Sequence, residues 1–257
     1  GIRDVAPSRG SEMCIRDSCQ ALIGFGGGSS MDCAKAVGAC IARPKTPLMK
    51  MKGILKVLRP LPPLFAVPTT AGTGSETTLA AVITDAKTRV KYPINDFPLI
   101  PRYAVLDPEV TRSLPPFITA STGLDALTHA VEAYIGRSTT KKTRKAALKA
   151  VQLIFANLQT AYHDGNNMTA RKNMLHASYY AGVAFTISYV GYVHAVAHSL
   201  GGKYNIPHGL ANAVLLPIVL RDYTAAAQRK LHDLANAAGL SNDCLLYTSD
   251  AADDTPC

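Results

Sequence analysis

The chain has 257 residues, of which 47% are hydrophobic and 18% charged, values ordinary for a globular protein with one large or two modest cores. It has no apolar run long enough to span a bilayer, no export signal at its start, and six cysteines without CxxC pairs, so we expect a reducing, cytoplasmic setting. The net charge of +9 does not indicate a nucleic-acid binder, because the densest basic run (137–149) has no interleaved aromatic residues to stack on bases.

The two ends of the chain differ from its middle. SEMCIRDS (11–18) and CLLYTSDAADD (244–254) resemble translated sequencing-adapter tails. We therefore expect residues 1–18 and 244–257 to lie outside the fold, with the gene's own sequence cut at both ends. The alternative is that both segments are genuine, poorly structured termini.

Residues 19–110 alternate short apolar runs with turns, which predicts an α/β domain. A helix is expected over 29–42, with Ser29 or Ser30 as its N-cap and Asp32 near its positive end. The predicted strands are ALIGF (21–25), LFAVP (64–68), AAVITD (80–85) and YAVLD (103–107).

Two loops of this domain have the composition of a nucleotide site. GFGGGSSMD (24–32) is a strand, a turn and a helix start, and its glycines allow backbone amides to approach a pyrophosphate, although the usual fingerprint has glycine where Ser29 stands. VPTTAGTGSETT (67–78) also follows a strand, and its hydroxyl groups can contact phosphates, ribose or nicotinamide. Each loop alone is also explained as a tight or side-chain-bonded turn. Together, on neighbouring strands, they favour a nucleotide cleft.

After residue 116 the hydrophobic period becomes 3.6 and strand signals nearly vanish, which predicts a helical domain over 111–243, with the boundary near 108–116. Helices are expected near 119–135, 142–162, 168–187, 190–201, 209–221 and 224–238.

Metal-type side chains cluster in this helical region. Asp125 and His129 are four residues apart and share one side of a predicted helix. His194 and His198 repeat this spacing on a second helix, and His208 is expected where the next helix begins. One carboxylate and three imidazoles suit zinc, iron, nickel or manganese, and the pattern is not HExxH, which disfavours a zinc peptidase. The remaining histidines have no such neighbours and are interpreted as ordinary core or surface residues: His163, His176 and His232.

These segments together resemble the iron-containing alcohol dehydrogenases. GGGSSMD, PTTAGTGSE, YPINDFPLIPRYAVLDP, TGLDALTHAVEAY and HAVAHSLGGKYNIPHGLANAVLLP follow the family's order over nearly all of residues 19–243. The resemblance implies a partial dinucleotide-binding domain related to dehydroquinate synthase, then a partial all-helical metal-binding domain, with the active site between them.

The resemblance also implies roles for particular residues. The implied ligands of a divalent metal, usually Fe²⁺ with Zn²⁺ as an alternative, are Asp125, His129, His194 and His208. His198 matches a histidine near the nicotinamide, with a role in proton relay or positioning, and Lys91 matches a lysine near the cofactor ribose. The implied cofactor residues of the two loops are Gly26, Gly27, Gly28, Ser29, Asp32, Thr69, Thr70, Thr73 and Thr78. The acidic residue that helps to choose NAD over NADP should lie upstream of residue 19, so both cofactors stay open.

The implied function is hydride transfer between a short-chain alcohol or diol, or its aldehyde, and a nicotinamide cofactor, with metal assistance. The expected partner is this small molecule, not nucleic acid or a membrane, and the full-length parent is expected to be a homo-oligomer. The alternatives are a glycerol dehydrogenase, a dehydroquinate synthase-like enzyme with NAD and a metal, and an inactive truncated fragment. The identity of the alcohol is open.

Overall fold

The computed structural model of the protein describes residues 20–85, 91–204 and 206–240. The expected foreign tails, residues 1–18 and 244–257, lie outside this part of the chain. The described part has an α/β half followed by a helical half, as the sequence predicts.

The α/β half has one long helix and six strands within the described residues. In chain order these are β1 (Leu22–Gly26), α1 (Gly28–Ala42), β2 (Gly53–Ile54), β3 (Leu64–Pro68), β4 (Ala80–Thr84), β5 (Lys91–Asn95) and β6 (Tyr103–Ala104). Short 3₁₀ turns lie between them, at Leu48–Met51, Ser75–Thr77, Phe97–Leu99 and Pro108–Thr111.

The first sheet sets the two predicted cofactor loops side by side. Its strands are parallel in the order β1-β3-β6, with a register from Leu22↔Leu64 to Gly26↔Pro68. Because β1 and β3 end at the same edge, the glycine turn after β1 and the hydroxyl-rich loop after β3 leave the sheet together. Ligands of open α/β sheets bind at this edge, outside the carboxyl ends of the strands.

The second sheet, in the order β2-β5-β4, contains two strands that the sequence did not predict, the two-residue β2 and the longer β5. In β5, Tyr92 and Ile94 are buried and alternate with exposed Lys91 and Pro93. This is the period-2 pattern of a half-buried strand, but it is short and interrupted by a proline, which argues against a strand in a sequence.

Two local predictions in this half differ from the structure. The strand predicted over 103–107 is present but shorter: Tyr103–Ala104 pairs with β3, the Val105 amide still donates to the Ala66 carbonyl at 2.8 Å, and the chain turns at Asp107, whose side chain accepts from the Glu109 amide. The N-cap of α1 is Gly27, without a side-chain cap, and Ser29 and Ser30 lie inside the helix.

The six helices predicted after residue 116 are all present. They are α2 (Pro116–Ile135), α3 (Lys141–His163), α4 (Met168–Ser188), α5 (Tyr192–Tyr204), α6 (His208–Asp222) and α7 (Thr224–Ala238). Alanines fill the core between α2, α3 and α4, where Ala126, Ala147 and Ala177 have no exposed surface. From residue 125 to residue 134 of α2 only Leu127 is not buried, so the polar side chains of this stretch must find partners inside the protein.

Within the described residues, no single helix is long and apolar enough to cross a membrane. One bent pair, α4 with α5, passes the same test by length and composition only, with an angle of 101° between the two helices.

The hydroxyl-rich loop is held directly against the helical half. A Cβ atom at Gly72 would lie 2.6 Å from the Thr122 carbonyl oxygen, and one at Gly74, where φ is 59°, would lie 2.8 Å from Cα of Gly182. The Gly74 amide donates to Oγ of Ser178 on α4, at 3.2 Å. Glycines therefore let two backbones touch at this junction, which sets the distance between the loop and the helices.

A methyl group at this junction is expected to destabilise the protein. In Gly182→Ala the new Cβ would lie 2.7 Å from the Gly74 carbonyl oxygen, so the loop or α4 must shift. We expect a loss of about 1–3 kcal/mol in the free energy of unfolding, measured by denaturant titration.

The matched control is Gly202→Ala in α5, where a Cβ would meet nothing within 4 Å. This variant should be unchanged or stabilised by up to about 1 kcal/mol, since alanine favours a helix over glycine. Equal effects of the two substitutions would contradict the proposed contact.

Candidate metal centre

Three helices bring four predicted donors to one place. Asp125 lies on α2, His194 on α5, and His208 is the first residue of α6. Oδ1 of Asp125 lies 3.6 Å from Nε2 of His194 and 3.6 Å from Nε2 of His208. One ligand atom from each of Asp125, His129 and His194 lies within 4.8 Å of the other two. Ligands at about 2.0–2.2 Å from a shared ion are separated by roughly 3–4 Å, so these side chains need only small movements to bind one cation.

A buried nitrogen atom supports a cation at this position. Nε2 of His194 faces Asp125, is buried and has no hydrogen-bond partner among the described residues. A buried polar atom without a partner costs free energy, so native structures rarely retain one without a ligand, an ion or a water. The donor set, one carboxylate and neutral imidazoles, is also the chemistry that Zn²⁺ or Fe²⁺ accepts.

The rings of this cluster are stacked. His129 packs between Phe185 and His194, with ring-centroid distances of 4.1 Å and 4.3 Å. His198 stacks on His208 at 4.7 Å and lies farther from His194, at 6.3 Å. His198 therefore borders the donor cluster, next to His208, whose side chain is 38% exposed.

The pKa values of the cluster follow from burial and mutual charge. Burial lowers the pKa of His129 to about 3, so its imidazole is neutral at neutral pH. Burial alone would raise the pKa of Asp125, but the histidines around it, His129 first and then His194 at 3.6 Å, hold that pKa well below its usual range. Burial also opposes protonation of His194, yet the carboxylates of Asp125 at 3.6 Å and Glu132 at 2.6 Å raise its pKa to about 9. A cation that binds His194 must therefore displace a proton.

Glu132 is a functional residue that the sequence reasoning missed. Its Oε2 lies 2.6 Å from Nδ1 of His194 and accepts the Gly191 amide at 2.7 Å, while its Oε1 accepts the Val193 amide at 2.7 Å. Since a carboxylate only accepts, the Nδ1 proton of His194 points to Glu132, and Nε2 faces Asp125. The available signal was spacing, because Glu132 lies two helical turns after Asp125 and therefore on the same side of α2.

Asn212 was also missed. Its Nδ2 donates to Oδ1 of Asp125 at 2.7 Å and lies 3.2 Å from Nε2 of His208. His208 and Asn212 repeat the four-residue spacing of Asp125 and His129, which was the signal available for it. The amide fixes the carboxylate of Asp125 from the side of α6.

A cavity of about 490 Å³ leads from the donor cluster to the glycine turn. The predicted cofactor residues that line it are Gly28, Ser29, Asp32, Thr73, Thr78 and Lys91, together with His198. The two loops touch here, because a Cβ at Gly28 would lie 2.9 Å from the side chain of Thr73.

Four other predicted cofactor residues do not line this cavity: Gly26, Gly27, Thr69 and Thr70. They connect the two loops, since the Thr69 amide donates to the Gly26 carbonyl at 3.0 Å. Oγ1 of Thr70 is buried without a partner among the described residues, and a Cβ at Gly27 would be 3.6 Å from it. This hydroxyl lies beside the glycine turn but outside the cavity lining, and the two loops together form the candidate nucleotide cradle.

Asp32 is oriented differently from the sequence-based expectation. Its carboxylate accepts from Oγ of Ser75 at 2.8 Å and from the Val82 amide at 3.1 Å, so it holds the hydroxyl-rich loop, although it was expected at the positive end of α1. Burial raises its pKa, against the opposing effect of Lys35.

Lys35, one turn after Asp32, was missed and is fully buried. Its Nζ donates to Oγ of Ser75, to the carbonyl and hydroxyl oxygens of Thr78, and to the Ala80 carbonyl, all at 2.9–3.0 Å. Burial lowers its pKa to about 8, against the effect of nearby acids, so it remains charged at neutral pH. Asp32 and Lys35 together join the glycine-turn helix to the second loop.

Two family profiles match this chain. Residues 5–108 match the profile "Iron-containing alcohol dehydrogenase", and residues 119–255 match "Fe-containing alcohol dehydrogenase family, C-terminal". Together they cover most of the chain and both halves of the fold.

Individual relatives are similar over nearly all of this chain. The chain is 44% identical over 251 residues to 1,3-propanediol dehydrogenase of Citrobacter freundii, covering 98% of this chain and 64% of that protein. It is 39% identical over 243 residues to NAD-dependent methanol dehydrogenase of Bacillus methanolicus, covering 93% and 64%. The crystal structure of a 1,3-propanediol oxidoreductase superposes with a TM-score of 0.87 at 44% identity, covering 91% of this chain and 61% of that one. The chain thus spans somewhat less than two thirds of the length of these relatives.

Replacing Glu132 by glutamine is expected to weaken metal binding. One carboxylate oxygen becomes an NH₂ group, which donates, so either His194 Nδ1–H or a backbone amide of α5 faces another donor. We expect divalent-metal affinity to fall about 10–100-fold, as for other partners that orient a metal ligand. Titration with Co²⁺ or Zn²⁺ measures it.

The matched control is Glu109→Gln, whose exposed side chain pairs with Arg112 and lies outside the cluster. It should bind metal with unchanged affinity. Wild-type affinity in Glu132→Gln would show that the carboxylate does not orient His194.

Replacing Lys35 by methionine is expected to release the hydroxyl-rich loop. The change removes the buried ammonium group and leaves the oxygens of Ser75, Thr78 and Ala80 without their donor, so we expect a loss of about 1–3 kcal/mol in the free energy of unfolding. NADH binding, followed by the fluorescence of its dihydronicotinamide, should weaken in the same variant because the loop is no longer held.

Lys52→Met serves as the control, since Lys52 is exposed in the same half of the protein. It should change stability by no more than about 0.5 kcal/mol. If Lys35→Met kept wild-type stability and NADH affinity, the joining role of Lys35 would be wrong.

Proposed function

Because the chain belongs to the iron-containing alcohol dehydrogenase family, we propose that its cleft transfers a hydride between a short-chain alcohol or diol and a nicotinamide cofactor. One observation carries this proposal. The buried donors of Asp125, His129 and His194 open into the same cavity that reaches the glycine turn. A cation site beside a nucleotide cradle is the arrangement that metal-assisted hydride transfer requires.

The relatives support a small substrate. One is named a 1,3-propanediol dehydrogenase and another a methanol dehydrogenase, so we propose short primary alcohols, diols and the corresponding aldehydes. The methanol dehydrogenase is named as NAD-dependent, which favours NAD over NADP for this chain as well.

The charge of the cavity argues against a dehydroquinate synthase-like reaction. Such an enzyme binds a phosphorylated substrate and needs a cluster of lysine and arginine side chains beside the metal. Among the described residues that line the cavity, Lys91 is the single lysine or arginine. A neutral alcohol fits this lining better than a phosphate ester.

A divalent cation held by Asp125, His129, His194 and His208 would supply Lewis acidity toward an alcohol or carbonyl oxygen, and a nicotinamide in the cleft would accept or donate the hydride. The side chains of this chain provide the setting. Asp125 brings negative charge, and His129 stays neutral because burial lowers its pKa to about 3. Glu132 holds Nδ1 of His194, so that Nε2 is free for binding. Phe185 and other apolar residues form the nonpolar part of the lining.

His198 is the proposed carrier of the hydroxyl proton. Burial and the charges of His208, His194 and Lys91 lower its pKa to about 4, so its imidazole is neutral and can accept a proton. It lines the cavity and stacks on His208, beside the donor cluster. In oxidation, a ring nitrogen of His198 takes the proton of the alcohol, directly or through a water.

The cellular location and the oligomeric state are part of the proposed function. We propose a reducing, cytoplasmic location, with which the free thiols of Cys33 and Cys40 agree. We also propose a homo-oligomer for the full-length protein.

Substitution of His208 tests the function. In His208→Ala, we expect metal affinity to fall by more than about 100-fold, more than the loss caused by an orienting partner, and turnover to fall with it. Elemental analysis after Fe²⁺ loading and NADH formation with a panel of short alcohols measure the two effects.

The control is His163→Ala, since His163 is exposed at the end of α3. It should keep both metal and activity. A His208→Ala variant that retains metal and full turnover would overturn the ligand assignment. A metal-loaded wild-type protein that binds NAD but reduces it with none of the alcohols would overturn the proposed reaction.

A further inference from the structure

Tyr189, at the end of α4, has a backbone conformation that its side chain disfavours. Its φ is 63° and its ψ is −179°. This region of backbone space is essentially restricted to glycine, because a Cβ atom clashes there with the neighbouring peptide groups. A tyrosine in it lowers the stability of the protein and persists only if the surroundings impose it.

The surroundings of Tyr189 do impose this conformation. Its amide donates to the Phe185 carbonyl at 2.7 Å and closes α4. Two residues later the Gly191 amide is held by Oε2 of Glu132, also at 2.7 Å, just before α5 begins. The chain must turn by 101° between these two fixed points. The turn cannot relax freely, since Phe185 stacks on His129 on one side and Glu132 holds His194 on the other.

The side chain of Tyr189 lies at the rim of the cleft. It lines the same cavity as Phe185, His194 and His198, and it is 60% exposed. Phe185, one helical turn earlier, contacts the ring of His129, so Tyr189 lies one turn outward from the donor cluster. Its ring is therefore a large, rigid and partly exposed part of the cavity lining.

We propose that Tyr189 is a specificity-determining residue, whose ring forms the outer wall of the alcohol-binding end of the cleft and restricts it to short alcohols and diols. The inference rests on the proposed function of the same site. It explains why an unfavourable residue stands at a position that glycine would fill at lower cost. Departures from local backbone preference are expected at functional sites.

Four variants distinguish the effect of the Tyr189 ring from the effect of its backbone conformation. Tyr189→Gly removes the ring and relieves the backbone, whereas Tyr189→Ala removes the ring and keeps a Cβ in the unfavourable region. Tyr189→Phe keeps the ring and removes its hydroxyl. Tyr162→Ala is the matched control, since Tyr162 is a partly exposed tyrosine in the regular helix α3.

The substrate-size readout is the ratio of kcat/KM for 1-hexanol to kcat/KM for 1-propanol, in metal-loaded protein with NAD. We expect this ratio to rise about 10-fold or more in Tyr189→Gly and Tyr189→Ala, because accommodation of even one methylene changes discrimination by about 10–200-fold. It should stay unchanged in Tyr189→Phe and Tyr162→Ala.

The stability readout does not depend on activity. The melting temperature of Tyr189→Gly should exceed that of Tyr189→Ala by about 2–4 °C or more, because only glycine adopts the observed φ without a clash. Equal melting temperatures would overturn the view that Tyr189 is held at a cost in stability.

The remaining outcomes distinguish a failure of the role of Tyr189 from a failure of the proposed function. An active wild-type protein whose ratio is the same in the glycine and alanine variants would overturn the role of Tyr189 and leave the proposed function standing. A Tyr189→Phe variant with the raised ratio of Tyr189→Ala would overturn the assignment to ring size. A wild-type protein that oxidises no alcohol would overturn the proposed function and, with it, the role of Tyr189.

Discussion

The buried carboxylate of Glu132 is the contact on which the geometry of the site depends. It accepts the Nδ1 proton of His194 and the amides of Gly191 and Val193, and it is 3% exposed. Because α2 passes through the centre of the helical half, this carboxylate fixes the start of α5 against the helix that carries Asp125 and His129. The same contact closes the turn between α4 and α5. Space for Glu132 also explains Gly191, since a Cβ there would lie 2.8 Å from its Oε1.

Charge balance is the second requirement of this buried cluster. Asp125 and Glu132 carry negative charge into a region with almost no exposed surface, where an uncompensated charge is costly. His194, whose pKa is raised to about 9, is protonated at neutral pH and compensates part of this charge. A divalent cation would take over this role. Either the proton on His194 or the bound cation therefore compensates the charge of the buried carboxylates, and one replaces the other. His129, whose pKa is lowered to about 3 by burial, is neutral and can bind a cation without losing a proton.

The nucleotide cradle is joined to the metal cluster by contacts of two kinds. Asp32 and Lys35 of α1 hold the hydroxyl-rich loop through Ser75 and Thr78, and the glycines of that loop allow it to touch α2 and α4. The proposed hydride transfer would depend on the distance between a bound nicotinamide and the substrate carbon, and small displacements would lower its rate. A buried hydrogen-bond network and direct backbone contacts are stiff, which suits a cleft formed between two halves of a fold.

Much of this protein was readable from local pattern. The 3.6 period located all six helices of the second half, and apolar runs located β1, β3 and β4, because burial of one face imposes its repeat on the sequence. The four-residue spacing of Asp125 and His129 predicted that they share a side of α2. β5 was not predicted because Pro93 interrupts a five-residue pattern. The N-cap of α1 was expected at Ser29 or Ser30, but the structure has it at Gly27.

The tertiary structure decided which polar residues act together. Glu132 and His194 are 62 residues apart, and Asn212 and Asp125 are 87 apart, so no local repeat connects them. Lys35 resembled any helical lysine until its burial and its four acceptors were known. The backbone of Tyr189 is likewise set by Glu132 and Phe185, which only the fold brings to either side of it. Hydrophobic periodicity indicates which face of a helix or strand is buried. Hydrogen bonds, pKa values and backbone strain depend on which residues of other elements contact that face.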